Sequence, residues 1–448
     1  MRMRTIFVLL CASLTGLAQT AQFRDLWSDP ALVQRIDAGI QANRMGWATL
    51  RFVDAGGKPV PSVKVSVEQV RHQFLFGGNL FMIGGFPTDA ENRKYERSFL
   101  GLFNYGTAPF YWKALEPKPG TLRFAANSEP VFRRPPPDAV VQFARNAGIT
   151  LKGHPLVWDN PRWQHPEWAP QDPAEVDRLL RRRIEQIAER YRGSIQVWDV
   201  VNEVFNRQHH MAVPMPHDFV YRAFQTAAKA FPVDTKLTLN EAGSVWTNFQ
   251  DETSPFYLLI QNLLLRGANV NTIGMQLHFF SEDVWRRTLE GTAMKPLDMM
   301  RVLDRYGDFH LPIHVTEITI PTLPNTPAGE AAQAEMARNL YRLWFSHPAV
   351  EGITWWNLVD DTAAPGEDKW LGGLLHRDFS PKPAYEALRK LIQHEWQTRL
   401  KGDAGAEGAM RFQGFYGRYR ATILHNGQTR TVEFNVSKGG RNVIEVKL

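Results

Sequence analysis

The stretch SIQVWDVVNE (194–203) runs apolar through Ile195, Val197, Val200 and Val201, then ends on Asn202 and Glu203. A short, uninterrupted apolar run closed by polar groups is the pattern of a strand buried on both faces; a half-exposed strand would alternate. IHVTE (313–317) has the same form and also stops on a glutamate, Glu317. Working outward from these two, similar runs begin near residues 74, 103, 150, 236, 272 and 350, which makes eight in all. Most give way to a longer helical pattern, for instance over 172–191, 219–230, 330–345 and 384–395. Strand and helix in regular alternation demand parallel strands, since only a crossover returns the chain to start the next strand in the same direction. Eight such units predict an α/β fold, a closed (β/α)8 TIM barrel. A doubly wound open sheet fits less well, because no glycine-rich phosphate loop follows the first run.

The rest of the chain is arranged around that barrel. Residues 1–21 (MRMRTIFVLLCASLTGLAQTA) combine two arginines, an apolar stretch and small residues, the form of a signal for secretion or periplasmic export. The one cysteine, Cys11, lies inside it, so the mature chain would carry no disulfide and no thiolate metal site. No later run is long enough to span a membrane. Residues 22–73 read as a helix (29–44) followed by two short strands, and residues 397–448 as strands after a glycine-rich patch at 402–408. Neither end could hold a core alone, so the two are expected to pack together as one β-rich accessory module beside a barrel of residues 74–396.

Composition removes several function classes. The 44% hydrophobic and 22% charged shares are those of a folded soluble chain. The net charge of +6 is small for 448 residues and shows no basic stripe, which argues against a nucleic-acid partner. Neither His209-His210 nor the acidic group Asp360, Asp361, Glu367 and Asp368 has the spacing of a metal site, and no cofactor motif occurs. The unusual component is aromatic: 14 Trp, and 12% Phe, Trp and Tyr together. Indole faces suit the apolar faces of sugar rings.

In a barrel of this kind the chemistry sits at the C-terminal ends of the strands. Glu203 and Glu317 would then face each other across one mouth. Two carboxyls so placed are what glycoside hydrolysis requires: one protonated to give a proton to the leaving oxygen, the other ionised to attack the anomeric carbon. Like charges in close quarters resist joint ionisation, so one is expected to be raised and to serve as the acid. The third run ends in GHPLVWDN (153–160), the sixth in GMQLHF (274–279) and the eighth in GITWWNLVDD (352–361). They bring His154, Trp158, Gln276, His278 and Trp356 to the same rim. His278 is expected to hold Glu317 in place, Asn202 to bond a sugar hydroxyl, and the indoles to stack on sugar rings. Asp360 is expected to brace the mouth near Trp356.

At these residues the sequence resembles glycoside hydrolase family 10, the endo-1,4-beta-xylanase family of retaining enzymes on (β/α)8 barrels. WDVVNE resembles the family's acid/base strand and VTE its nucleophile strand; GHPLVW, GMQLH, GITWW and SPKPAYEAL (380–388) are similar to further signatures in the same order. The resemblance implies that Glu317 forms a covalent glycosyl-enzyme while Glu203 first protonates the leaving sugar and then activates water. It also implies a xylan-like plant cell-wall polysaccharide or oligosaccharide as substrate, and no metal or organic cofactor. The chain departs from the pattern at FNYGTAPFYWKALEPKPG (103–120), where Thr107 and Ala108 stand at the place of a Glu-Asn pair and Tyr111 at that of a lysine. Asp159, Asn160 and Pro161 replace His, Ser and Gln, and 240–243 reads Asn-Glu-Ala-Gly for Asn-Asp-Tyr-Asn. The pocket on the non-reducing side of the cut is therefore expected to be rebuilt.

Overall fold

The computed structural model describes residues 19–206 and 213–448. Most of residues 1–21, read above as a signal for export, and the pair His209-His210 lie outside the described residues. The barrel strands are Leu75–Asn79, Tyr105–Pro109, Thr150–His154, Val197–Asn202, Lys236–Glu241, Thr272–His278, Ile313–Thr319 and Val350–Trp355. Each pairs in parallel with the next, and Gly352 beside Leu75 joins the eighth strand to the first, so the sheet closes on itself. A short extra strand, Val157–Trp158, leaves the third strand and pairs with Val201 and Asn202. The eight-stranded parallel barrel is the fold expected from the alternation of runs.

Local chemistry sets the crossover helices. Pro137–Ala147, Pro173–Tyr191, Pro255–Leu265, Pro296–Gly307, Pro327–Ser346 and Pro383–Lys390 all open on a proline, whose missing N–H costs nothing in the first turn. Asp172 and Thr326 cap two of them by accepting from the backbone N–H groups of Glu175 and Gly329. On the helix-facing side of the sheet, Trp198 packs against Gly153 between Phe110 and Phe231. A Cβ at that glycine would stand 2.1 Å from the indole, so no larger residue fits between the third and fourth strands there.

The termini build the second body. Strands Ala409–Phe415, Met45–Val53 and Val443–Lys447 form one sheet; Arg399–Asp403, Lys64–His72, Gly417–His425 and Gln428–Val436 form another. Leu50, Phe52, Val65, Val67, Phe412, Tyr419 and Phe434 from both sheets share one apolar core. Helices Ala21–Ser28 and Pro30–Arg44 are not part of it: their buried Phe23, Trp27, Leu32 and Ile36 join the core of the barrel. The glycine-rich patch at 402–408 is a strand end and a tight turn, and the strand that follows it, Ala409–Phe415, pairs along Met45–Val53. Among the described residues no helix is long and apolar enough to cross a membrane.

Candidate active site

Register assembles the rim. Parallel pairing puts Gln276 beside Glu317, Asn202 beside Asn240 and Trp158 beside Asn202. These side chains border a cavity of about 420 Å³, whose lining includes His154, Trp158, Asn202, Glu203, Gln276, His278, Glu317 and Trp356. All eight residues singled out in the sequence therefore meet in one place. The backbone of Glu203 is left-handed, with φ at 52°, and its N–H bonds the Asn240 carbonyl at 2.8 Å, which turns the side chain out of the strand toward the mouth.

Hydrogen bonds tie the two carboxyls together. The Gln276 amide nitrogen Nε2 lies 3.1 Å from Glu203 Oε1 and 3.1 Å from Glu317 Oε1, so those oxygens can be no farther apart than twice that contact. Asn240 Nδ2 also donates to Glu317 Oε1, at 3.0 Å, and to Asn202 Oδ1, at 2.8 Å. The other Glu317 oxygen lies 3.3 Å from His278 Nε2, while His278 Nδ1 is 2.9 Å from the Thr319 hydroxyl. A neutral imidazole donates from one of these two nitrogens and accepts at the other. Glu203 receives its second donor from Asn206 Nδ2, 2.8 Å from Oε2.

The carboxyl that the surroundings raise is Glu317. Burial pushes it up to about 8; His154 and Lys152 pull it back, and Glu203 and Asp199 add to the rise. That is the partner the resemblance assigns to nucleophilic attack, not proton donation, so the simple rule that the raised group is the acid does not describe this pair. Burial likewise lifts Glu241, next to Asn240, to about 7, although its carboxylate accepts from the N–H groups of Ala242 and Phe205. Through Phe205 it anchors the loop that leaves Glu203. Beneath the pair, burial alone would raise Asp199, but Lys152 at 2.9 Å and His154 at 2.7 Å hold it below its ordinary value. His154 Nδ1 is 3.7 Å from Glu317 Oε1 as well. His154, Asp199 and Glu317 offer three ligand atoms within 4.8 Å of one another, but the Lys152 ammonium already takes the cation's place against Asp199.

The rings stand as a cage. Trp356 meets Phe81 at 5.1 Å, His154 at 5.5 Å and His278 at 6.0 Å between ring centres, and Tyr111 meets Trp158 at 6.0 Å. Phe280 stacks on His278 at 4.7 Å. Thr107 and Ala108 are fully buried, so the second strand offers the cavity no polar pair. Asp360 is not among the residues lining the cavity; it pairs with the buried Lys382 at 2.8 Å and accepts from the Gly373 N–H, pinning the loop after the eighth strand to SPKP. Several lining residues carry no signal in the sequence, among them Arg133, Arg134 and Trp163, which come from irregular loops. Asn206 could have been found from its place three residues beyond Glu203.

Comparison with known proteins agrees with this geometry. Glycosyl hydrolase family 10 matches residues 109–391. Anti-sigma-I factor RsgI6 of Acetivibrio thermocellus is 25% identical over 399 residues, which are 87% of this chain and 46% of that protein. Endo-1,4-beta-xylanase 5-like of Arabidopsis thaliana is 28% identical over 351 residues, 76% of this chain and 54% of that protein. Endo-1,4-beta-xylanase B of Thermotoga neapolitana is 26% identical over 277 residues, 59% and 75% of the two chains. The chain thus spans about half the length of the first two of these relatives. Among solved structures, xylanase 10B from Thermotoga petrophila RKU-1 in complex with xylobiose shares the fold at a TM-score of 0.58 and 23% identity, over 72% of this chain and 95% of that one. From its matched sequence, its closed barrel and the carboxyl pair at its mouth, the chain belongs to glycosyl hydrolase family 10.

Proposed function

We propose that the protein is a secreted, retaining, endo-acting β-glycoside hydrolase that cuts xylan-like β-1,4 backbones, with Glu203 as acid/base and Glu317 as nucleophile. The observation that carries this reading is the Gln276 amide, which reaches one oxygen of each glutamate at 3.1 Å and so holds those two oxygens no farther apart than twice that contact, short of the roughly 6.5 to 9.5 Å spacing of an inverting pair. One proton divides between two such groups. Gln276 and Asn240 donate to Glu317, which works against the burial that raises its carboxyl, and the family resemblance assigns the acid role to Glu203. In the first step Glu317 attacks the anomeric carbon as Glu203 gives its proton to the leaving oxygen. In the second, Glu203 takes a proton from water, which attacks the same carbon and releases the sugar with its configuration retained. The names of the xylanase relatives support the substrate class, and the form of residues 1–21 supports export.

A second reading, a sugar-binding protein on the same scaffold, is favoured by one observation: the second strand has lost its polar pair, with Thr107 and Ala108 wholly buried. Release of reducing ends from defined β-1,4 xylo-oligosaccharides separates the two. Wild type is expected to cleave, and Glu203→Gln and Glu317→Gln each to lose on the order of a thousandfold in rate. Full activity in either variant removes that residue from the mechanism, and no cleavage by wild type leaves the binding reading.

A further inference from the structure

Two arginines border the active-site cavity on the side of the second strand. Arg133 and Arg134 follow that strand in an irregular loop, and Arg133 sits at φ 59°, a backbone conformation a non-glycine residue adopts at some cost. The Arg134 guanidinium lies flat on the Tyr111 ring, 3.6 Å from its centre, and 5.3 Å from the centre of Phe81. Tyr111 in turn touches His154, ring centres 5.4 Å apart, and His154 Nδ1 is 3.7 Å from Glu317. The guanidinium therefore stands within one or two sugar rings of the carbon that Glu317 would attack.

The protein answers these two cations only in part: Glu367 lines the same cavity and favours the charged form of both, one carboxylate for two guanidinium groups. Arg133 is 4% exposed; its Nη1 reaches Asn357 Oδ1 and the Thr362 carbonyl, and its Nε is buried with no hydrogen-bond partner. Arg134 donates from Nη1 to the Arg133 carbonyl at 2.9 Å. Among the described residues neither guanidinium is recorded in a direct salt bridge, and Glu367 acts on both through space. Burial lowers both, Arg133 to about 10, which records what it costs to hold two like charges out of water; both remain charged at neutral pH. A neutral sugar ring offers nothing to offset the positive charge that the single Glu367 carboxylate leaves over. A carboxylate does, because the planar guanidinium fork matches its two oxygens.

We propose that this end of the cavity binds a sugar bearing a carboxylate, a uronic acid, against Arg134 and Arg133. The proposal rests on the glycosidase reading above and names the substrate class it would prefer. The uronic acid is either the non-reducing end of the chain being cut or a branch on it; the recognition chemistry is shared.

The test uses the full chain and two xylo-oligosaccharides, one ending in a uronic acid and one carrying it as a branch, each against its carboxyl-reduced, neutral counterpart. Wild type is expected to favour at least one acidic member by about tenfold or more in kcat/KM, as a charge-assisted pair would give. Arg134→Gln brings that ratio close to one, and Arg134→Lys keeps part of it. A merely structural role for the arginine would lower both rates together and leave the ratio standing. A ratio near one in wild type for both pairs, or one unmoved by Arg134→Gln, overturns the proposal. If wild type cuts neither member, the glycosidase reading fails, and calorimetric binding of the same pairs decides this site: tighter binding of the acid supports it, and equal or absent binding overturns it.

Discussion

Glu317 occupies a place that suits catalysis and burdens folding. Burial raises its carboxyl from near 4.5 when the chain is unfolded to about 8 when folded. Folding thus favours the protonated group, so its contribution to stability is full below about pH 4.5 and is lost as the pH rises toward 8. At pH 7.5 the neutral, isosteric Glu317→Gln variant is therefore expected to be inactive yet more stable than wild type, by on the order of 1 to 3 kcal/mol, and the gain should shrink toward pH 4.5. Denaturant unfolding at the two pH values measures it; a variant less stable at pH 7.5 contradicts the burden assigned to this carboxylate. The two glutamates were legible in the sequence because each closes an apolar run. Which of them the fold would raise was not legible, since that depends on burial and on Lys152, His154 and Asp199, brought near by neighbouring strands.

At the scale of single elements, parallel barrel strands read easily because burial on both faces leaves unbroken apolar runs, as in VWDVVN. The strand Ala409–Phe415 did not, because Gly402, Gly405 and Gly408 just before it mimic a flexible linker while serving a tight turn. The loop carrying Arg133 and Arg134 has no period to read, and its role depends entirely on where it folds back. The helix Pro30–Arg44 was legible as a helix but its docking partner was not. Its last residue, Arg44, is buried and donates to the carbonyls of Phe345, His347 and Val350, at and just beyond the end of Pro327–Ser346. Arg44 thereby ties the last turn of that helix to the first residue of the eighth strand. Arg44→Met is expected to cost about 2 to 4 kcal/mol in denaturant unfolding, with the active-site geometry unchanged. A loss below about 0.5 kcal/mol would show that the clamp contributes little.

Across the whole molecule, the described segments before and after the barrel close on its floor. Phe345 stacks on Trp396 at 4.1 Å and reaches Phe415 of the β module at 6.1 Å, while Arg44 lies over Phe74 at 4.8 Å. A fragment of residues 74–396 uncovers that aromatic face and the surface beneath Phe23, Trp27, Leu32 and Ile36. It is expected to be markedly less stable or insoluble beside the full chain in thermal unfolding, and a fragment of equal stability would make the ends dispensable. The proposed function turns on two carboxyls that cooperate at one carbon. Following the anomeric proton signals by NMR as the full-length protein cuts a β-1,4 xylo-oligosaccharide tests that most directly. The account predicts that the β-anomer of the new reducing end appears first and equilibrates later with the α form; an α-anomer that appears first, or an unchanged spectrum, contradicts it.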